Sequence, residues 1–377
     1  MTEAIKAGDK PRKLCATRDR CRFLKASLWT VFGVFAAINI LLGIKLSMLK
    51  GQFKTPPQQR PTAPPTEVHQ SPKSFYDTDG VMGYSYDVVP DILHLVRYNQ
   101  AELSFPDAVF YRSMYLNHRP RKIMVHCSPC GFTGPYARLV EGIPFTYVPT
   151  VFPKDVFGTP IDPEWSHHST DIVRIRVLMR YGGIYLDADV FVVQSLRRFL
   201  RYEATVGGVE DGTFGNMIMI AHNNSRVMRL FMDTYREFNA SLWTYNSADV
   251  PTTELVDKRP HLFHRMTHGL ETYMLPAIYL PHFIPDWRNA YAMHTLINHR
   301  HLAKEDPLIG QELNETTIRD YDTALGQMVR SVLFGTSDFV APDARLLNVT
   351  ELAAMKDRGD DLTRMDTGSS RPFYYPN

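Results

Sequence analysis

The sequence predicts an α/β domain that follows a single N-terminal membrane helix. Apolar stretches of strand length alternate with helix-like segments in the second quarter of the chain, a pattern that favours a sheet covered by helices. A charge-free apolar run near the start is long enough to cross a bilayer as a helix. The strand-length stretches are Ile92 to Val96, Ile123 to Val125, Phe145 to Val148 and Ile184 to Leu186.

Length and composition limit the possible classes of protein. A chain of 377 residues with 44% hydrophobic content suits one large globular domain with appendages. Its 42 basic and 40 acidic residues give a net charge of +2, so we expect no nucleic-acid partner, which would need a strongly basic surface. Four cysteines are too few for a disulfide scaffold, so packing must hold the core.

The apolar run from Ala26 to Ile44 carries no charge and follows a segment rich in lysine and arginine. A cleaved signal peptide is the rival interpretation, but the preceding segment is long and no A-x-A cleavage site precedes Lys45. The positive-inside rule keeps the basic segment in the cytoplasm. We therefore predict a cytoplasmic tail at 1–25, a signal-anchor transmembrane helix at 26–49 and a luminal remainder, the topology of a single-pass type II protein.

The luminal part divides by composition. Residues 50–85 are rich in proline and poor in apolar residues, which is typical of an extended stem. We assign 86–350 to the folded luminal domain and 351–377 to a polar C-terminal tail. The sequons beyond the stem are consistent with this topology, and we expect N-glycosylation at Asn223, Asn239, Asn314 and Asn348.

A helix followed by a glycine pair and a short strand leads to the most informative residues. Ser169 or Thr170 is suited to cap the helix, and Gly182 is suited to end it just before the strand at Ile184. Ligands bind beyond the carboxyl ends of strands in open α/β sheets, so residues after this strand are site candidates. A later amphipathic helix is predicted from Ile318 to Leu333.

Asp187 and Asp189 follow that strand and are two residues apart. In extended chain both carboxylates point to one side, whereas Ala188 points to the other. Carboxylate oxygens suit Mn²⁺ or Mg²⁺, and such an ion would bridge the aspartates and a diphosphate. The stem contains the same spacing at Asp77 and Asp79, so context rather than spacing identifies the site. Only the later pair follows a buried strand with apolar neighbours, where unpaired carboxylates would be costly.

The surrounding segment, HHSTDIVRIRVLMRYGGIYLDADVFVV, resembles the D-x-D region of glycosyltransferase family 32, which includes α-1,4-galactosyl- and α-1,4-N-acetylglucosaminyltransferases. Weaker similarity extends from about Val88 to Arg300. The resemblance implies a GT-A-like, Rossmann-type nucleotide-sugar-binding domain in the Golgi membrane. It also implies retaining transfer of a hexose or N-acetylhexosamine from a UDP-linked nucleotide-sugar donor to a glycan or glycolipid acceptor in α linkage, assisted by the metal ion.

The resemblance gives individual residues roles. It implies a catalytic and metal-binding role for Asp187 and Asp189, with His294 as a third ligand of the metal or a contact of the diphosphate. It further implies a donor-binding set consisting of Asp171, Arg174, Gly183, Tyr185 and Asn216. From the residues alone, an intrahelical ion pair, helix termination and ordinary core or turn positions are alternatives for members of this set.

Several features leave alternatives open. The glycine-rich segment of the family is not evident, and Trp243 and Tyr245 in its place are candidates for either sugar stacking or core packing. Cys127 and Cys130 fit a disulfide, a redox pair or part of a zinc site. No covalent nucleophile is identified. A catalytically inactive Golgi scaffold and a metal-dependent hydrolase are the competing functions.

Overall fold

The computed structural model describes residues 75, 80–209, 213–266, 268–272, 275–284 and 286–364. The chain divides into two compact units, Met1–Glu67 and Val68–Asn377, and all described residues belong to the second. The predicted cytoplasmic tail and membrane helix, most of the stem, and Asp77 and Asp79 lie outside the described residues. Within the described ranges, every helix is too short or too polar to traverse a bilayer.

The described unit contains twelve strands and six α-helices joined by short 3₁₀ and π-helical segments. The strands are β1 (Ile92–Tyr98), β2 (Lys122–Ser128), β3 (Phe145–Pro149), β4 (Asp155–Val156), β5 (Thr159–Pro160), β6 (Gly183–Leu186), β7 (Val190–Val192), β8 (Ala204–Val209), β9 (Phe214–Ala221), β10 (His264–Arg265), β11 (Leu270–Thr272) and β12 (Ala292–His294). The helices are α1 (Phe105–Ser113), α2 (His167–Tyr181), α3 (Arg226–Thr234), α4 (Leu275–Tyr279), α5 (Ala324–Leu333) and α6 (Val349–Asp357).

The main sheet is mixed and rich in parallel pairs. Its order is β3-β2-β1-β6-β9-β8-β11-β12-β7, with β10 paired to β8. Strands β3, β2, β1 and β6 are parallel to one another, whereas β9 runs antiparallel to both of its neighbours and β7 runs antiparallel to β12. Strands β4 and β5 form a separate two-stranded sheet. The predicted α/β class is confirmed.

Helix α2 begins earlier than the sequence predicts. It starts at His167, so Ser169 and Thr170 lie inside its first turn rather than at its cap. The Thr170 hydroxyl donates to the carbonyl of His167 at 2.7 Å, a bond that lets threonine sit within a helix. The predicted end is correct: Gly182 has a φ of 63°, and its N–H donates to the Leu178 carbonyl at 2.8 Å.

Alternation along β6 distributes its side chains between two hydrophobic layers. Ile184 and Leu186 join the cluster that also contains α1 and α5, whereas Tyr185 joins the cluster formed with α2 and α3. Successive strand residues point to opposite faces, so Tyr185 is placed beneath helix α2. The sheet is therefore covered on both faces, and the α2 face carries the polar residues described below.

The C-terminal helices differ from the predicted bounds. Helix α5 begins at Ala324 rather than Ile318, because the Thr323 side chain caps it by accepting from the N–H of Gly326. Helix α6 crosses the predicted domain boundary at residue 350 and buries Leu352. A capping box between Asn348 and Glu351 starts α6. The predicted tail at 351–377 therefore includes most of a packed helix.

The cysteine pair at the end of β2 forms a disulfide. Cys127 and Cys130 are joined, with their Cα atoms 5.0 Å apart. Two sulfurs bonded to each other supply no thiolate ligand, so the structure favours the disulfide over the zinc interpretation of these residues.

Candidate functional site

The two aspartates occupy the turn that connects β6 to β7. The Asp187 N–H donates to the Met217 carbonyl of β9 at 2.9 Å, and the Val190 N–H closes the turn on the Asp187 carbonyl at 3.1 Å. The side chains of Asp187 and Asp189 are 22% and 15% exposed, so both carboxylates are accessible from solvent at the carboxyl end of β6.

His294 reaches this turn from a distant part of the chain. It ends β12, which pairs antiparallel with β7 so that His294 lies opposite Val190. Its Nε2 is 3.0 Å from Oδ1 of Asp189. The N–H and hydroxyl of Thr295 both donate to the main-chain carbonyl of Asp189, at 3.0 and 2.8 Å. Thr295 thus fixes the turn against β12, a role that no local sequence signal indicated.

Asp187, Asp189 and His294 form a group that can hold a metal ion. One ligand atom from each lies within 4.8 Å of the others. Ligands around one ion at about 2.1 Å are separated by about 3 to 4 Å, so small side-chain movements suffice to close the group on a cation. Two carboxylates and one imidazole fit Mn²⁺ well and Mg²⁺ adequately. The residues present therefore fit the predicted divalent ion.

Electrostatics of the Asp189 and His294 pair also suit a cation. Burial alone would raise the pKa of Asp189, but the adjacent His294 lowers it below its ordinary value. Burial alone would lower the pKa of His294, but the charge of Asp189 raises it. Asp189 thus favours positive charge at the neighbouring position, and a divalent ion bound here would compete with a proton on His294.

Arg174 lies on the other side of Asp187. Its guanidinium nitrogens are 3.0 Å from Asp187 Oδ1 and 3.1 Å from Asp171 Oδ1. The guanidinium also stacks 4.8 Å from the ring centroid of Tyr185. Burial opposes the charge of Arg174, but Asp187, Tyr185 and Asp171 together raise its pKa above the ordinary value. A fixed positive charge is thus held beside the candidate metal group.

Asn216 and Tyr185 complete the network around Arg174. The Asn216 amide donates to Asp171 Oδ1 at 2.8 Å and accepts from Arg174 at 3.0 Å. The Tyr185 hydroxyl donates to Asp187 Oδ1 at 2.5 Å, and burial raises its pKa so that the donor proton is retained. Burial raises the pKa of Asp171 to about 6, despite the opposing effect of Arg174. Asp171 and Arg174 thus form the intrahelical ion pair, which adjoins Asp187, and their predicted contact with a donor stays a prediction.

Gly183 is the predicted site residue that lies apart from this network. It begins β6, whereas the aspartates follow the end of that strand. It has a φ of 118°, and an added Cβ would lie 2.4 Å from the Ile92 carbonyl oxygen. Close packing against β1 therefore accounts for this glycine. Its predicted contact with a donor remains a prediction.

The predicted glycosylation sites occupy different surroundings. Asn223 and Asn348 are exposed, whereas Asn239 and Asn314 are half-buried. Asn348 also caps α6 through its side-chain oxygen, which leaves the amide nitrogen that would carry a glycan outside that bond. Glycosylation of these residues stays a prediction.

Comparison with known proteins supports a specific class of enzyme. A family model described as "Glycosyltransferase sugar-binding region containing DXD motif" matches residues 163–206. Glucan organizing enzyme 1 from Cryptococcus neoformans var. grubii is 24% identical over 269 residues, covering 64% of this chain and 70% of that protein.

Two solved glycosyltransferase structures are similar to parts of this chain. The PaToxG glycosyltransferase shares 17% identity at a TM-score of 0.30, covering 46% of this chain and 70% of its own. GlyE from Streptococcus pneumoniae TIGR4 shares 8% identity at a TM-score of 0.40, covering 71% of this chain and 64% of its own. The family model spans α2 and the aspartate turn, where Arg174, Asp187 and Asp189 converge. The chain is therefore a glycosyltransferase with a DXD-containing sugar-binding region, similar to family 32.

Proposed function

We propose that this enzyme transfers a hexose or N-acetylhexosamine from a nucleotide-sugar donor, UDP-linked, to a glycan or glycolipid acceptor. We further propose that the transfer retains the anomeric configuration, gives an α linkage and uses Mn²⁺ or Mg²⁺. The observation that carries the proposal is the convergence of Asp187, Asp189 and His294 beside Arg174. The sugar, the linkage and the retention rest on the family resemblance.

Each residue of the site has a proposed role that follows from its position. Asp187 and Asp189 would hold the ion, with His294 as a third ligand. Bound there, a divalent ion supplies stabilisation of the negative charge that develops on the departing diphosphate. Arg174 adds a second fixed charge, and the Tyr185 hydroxyl fixes the orientation of Asp187.

Asp171 acts through its neighbours. It is only 4% exposed, and one of its carboxylate oxygens already accepts from Arg174 and Asn216. We therefore assign Asp171 a positioning role, which differs from the direct contact with sugar hydroxyls that the resemblance implies. Asn216 is half-buried at the edge of the network and remains the candidate for contact with the donor sugar.

The proposal also covers the cellular location of the enzyme and the molecules that it binds. A GT-A-like domain would place the nucleotide at the carboxyl ends of the parallel strands. The apolar run at 26–44 and the sequons support a Golgi type II membrane protein with a luminal catalytic domain. Because the name of the Cryptococcus relative concerns glucan, a glucan acceptor belongs among those to be tested.

Turnover of nucleotide sugars tests the proposal. The detergent-solubilised full chain is incubated with Mn²⁺ and a panel of nucleotide sugars, each with and without glycan and glycolipid acceptors. We expect metal-dependent nucleotide release, and a fall of about 1,000-fold or more in Asp189→Asn. Asp233→Asn is the control, because Asp233 forms an exposed ion pair with Arg236.

The products decide between the competing functions. Sugar attached to an acceptor in α linkage supports transfer, whereas free sugar alone indicates a hydrolase. If the wild-type protein neither binds nor turns over any donor, the proposed function is wrong. If Asp189→Asn turns over donor as fast as wild type, the catalytic site lies elsewhere in the protein.

A further inference from the structure

An exposed aromatic surface includes the first residue of α2, the helix that carries Arg174. Trp243 is 53% exposed, and its ring stacks on His299 with centroids 5.2 Å apart and planes 29° apart. His167 contacts the edge of the same indole at a centroid distance of 6.2 Å and an angle of 71°. We call Trp243, His299 and His167 the aromatic rim. Stacking from His299 and edge contact from His167 hold the indole in place while more than half of its surface stays in solvent.

One rim residue shares helix α2 with Arg174, and another follows the strand that ends at the candidate metal ligand His294. His167 begins α2, one helical turn before Asp171, so the two side chains lie on the same face of the helix. His299 follows the candidate ligand His294 by five residues. The rim is thus tied to α2 on one side and to the segment after β12 on the other.

The third rim residue is tied to strand β9. Trp243 lies two residues before the π-helical segment Tyr245–Asp249. In the segment that follows, the Thr252 hydroxyl accepts from the N–H of Phe214, two residues before Asn216. Trp243 therefore belongs to a segment anchored on the strand that carries Asn216.

The chemistry of this surface suits a sugar ring. Tryptophan is enriched where a protein surface meets a partner, because its large apolar ring also carries an N–H donor. Burial lowers the pKa of His167 to about 4, so its imidazole is neutral at ordinary pH and adds no charge to the rim. The flat indole face matches the apolar C–H face of a pyranose, whose hydroxyls stay free to bond elsewhere.

We propose that the aromatic rim binds a pyranose ring of the acceptor, an inference that rests on the proposed function. The alternative occupant is the base of the donor nucleotide. Nucleotides in open α/β sheets lie over the carboxyl ends of parallel strands, here β1 and β2. Strand β12, which leads to His299, lies on the opposite side of β6 from β1 and β2. This placement favours the acceptor.

Steady-state kinetics of the full-length enzyme test the inference. Trp243→Ala should raise the acceptor KM about tenfold, since it removes one aromatic stacking surface. Donor KM should stay within about twofold of wild type. Trp243→Phe should recover part of the loss. Leu242→Ala is the matched control, because Leu242 is the neighbouring exposed residue at 48% exposure.

The outcomes separate this inference from the proposed function. An unchanged acceptor KM in Trp243→Ala overturns the inference, and a raised donor KM in its place assigns the rim to the nucleotide base. If wild type turns over no nucleotide sugar, the proposed function fails by itself. In that case the tryptophan fluorescence of the protein is measured during titration with methyl glycosides of galactose, glucose, mannose and N-acetylglucosamine. This measurement tests whether the aromatic rim binds a sugar. Quenching that is lost in Trp243→Ala supports the rim as a sugar site, and absence of quenching overturns it.

Discussion

Two buried arginines show how one type of residue stabilises the fold in one region and helps to form the candidate site in another. Arg112 on α1 donates to three main-chain carbonyls, those of Val332, Leu139 and Leu347, at 2.8, 2.7 and 2.6 Å. Arg174 on α2 instead faces carboxylates. Burial lowers the pKa of Arg112 to about 10, whereas nearby carboxylates raise that of Arg174. Carbonyl partners tie segments together, and carboxylate partners assemble a charged centre.

Arg330 on α5 repeats the structural pattern. Its guanidinium donates to the carbonyls of Ser337, Ile318 and Tyr321, and burial lowers its pKa to about 10. Both carbonyl-bound arginines lie in the part of the fold where α1, α5 and the C-terminal segments pack. A buried arginine is therefore a poor indicator of function until its partners are known.

Arg112→Met should have the largest effect and should act on stability. Three buried carbonyls lose their charged donor, and each unsatisfied group costs about 1 to 3 kcal/mol, so we expect a loss of about 4 kcal/mol. Denaturant unfolding measures the change, with Arg358→Met as the control because Arg358 is largely exposed. Turnover per folded molecule should be unchanged. Wild-type stability in Arg112→Met would contradict the structural role.

Arg174→Lys should act on turnover instead. Lysine keeps the charge but cannot bridge Asp187 and Asp171 with a planar fork, so we expect kcat/KM to fall about 100-fold. The free energy of unfolding should change by less than about 1.5 kcal/mol. Arg176→Lys, on the exposed face of the same helix, is the matched control. A stability loss as large as that of Arg112→Met, with activity retained, would erase the distinction between the two arginines.

Asp171→Asn should have a smaller effect that depends on pH. Burial raises the folded-state pKa of Asp171 from 3.8 to about 6, so the folded state binds this proton more tightly than the unfolded state. The stabilisation is therefore present below about pH 4 and is lost as the pH rises through 6. Asparagine avoids that loss. The stability of the variant relative to wild type should increase by about 2 to 3 kcal/mol between pH 4 and pH 8.

Unfolding titrations at several pH values check this prediction. The buried histidines His94 and His126, whose pKa values burial lowers to about 4 and about 3, are common to both proteins and cancel in the difference. Asp233→Asn, at an exposed position of helix α3, is the control variant. A difference between Asp171→Asn and wild type that does not change with pH would mean that Asp171 does not carry the raised pKa.

Local patterns predicted the first half of the sheet well. The apolar stretches at β1, β2, β3 and β6 lie within the observed strands because short apolar runs rich in β-branched and aromatic residues favour a buried sheet. The start of α2 was misplaced since threonine can bond back to the preceding helical turn, as Thr170 does. The start of α5 was misplaced because apolar periodicity alone did not reveal the cap at Thr323.

The site was predictable where its residues are close in sequence. Asp171 and Arg174 are one helical turn apart, so helical spacing placed that pair. Asp187 and Asp189 instead lie in a turn rather than in the predicted extended chain, so the prediction from strand alternation was wrong for them. The contact between His294 and Asp189 depends on the antiparallel pairing of β12 with β7, which no local pattern encodes. Only the family resemblance indicated His294. The sequence indicated Trp243 as a candidate for sugar stacking, but the role of Thr295 and the grouping of Trp243 with His167 and His299 required the three-dimensional structure.

The most direct test of the central claim is the binding of Mn²⁺ itself. Electron paramagnetic resonance of Mn²⁺ titrated into the protein, with UDP present, counts bound ions without requiring turnover. We predict one Mn²⁺ per chain in wild type and in Asp233→Asn, and loss of that ion in Asp189→Asn and Asp187→Asn. Undiminished Mn²⁺ binding in both aspartate variants would contradict the assignment of Asp187, Asp189 and His294 as the metal site.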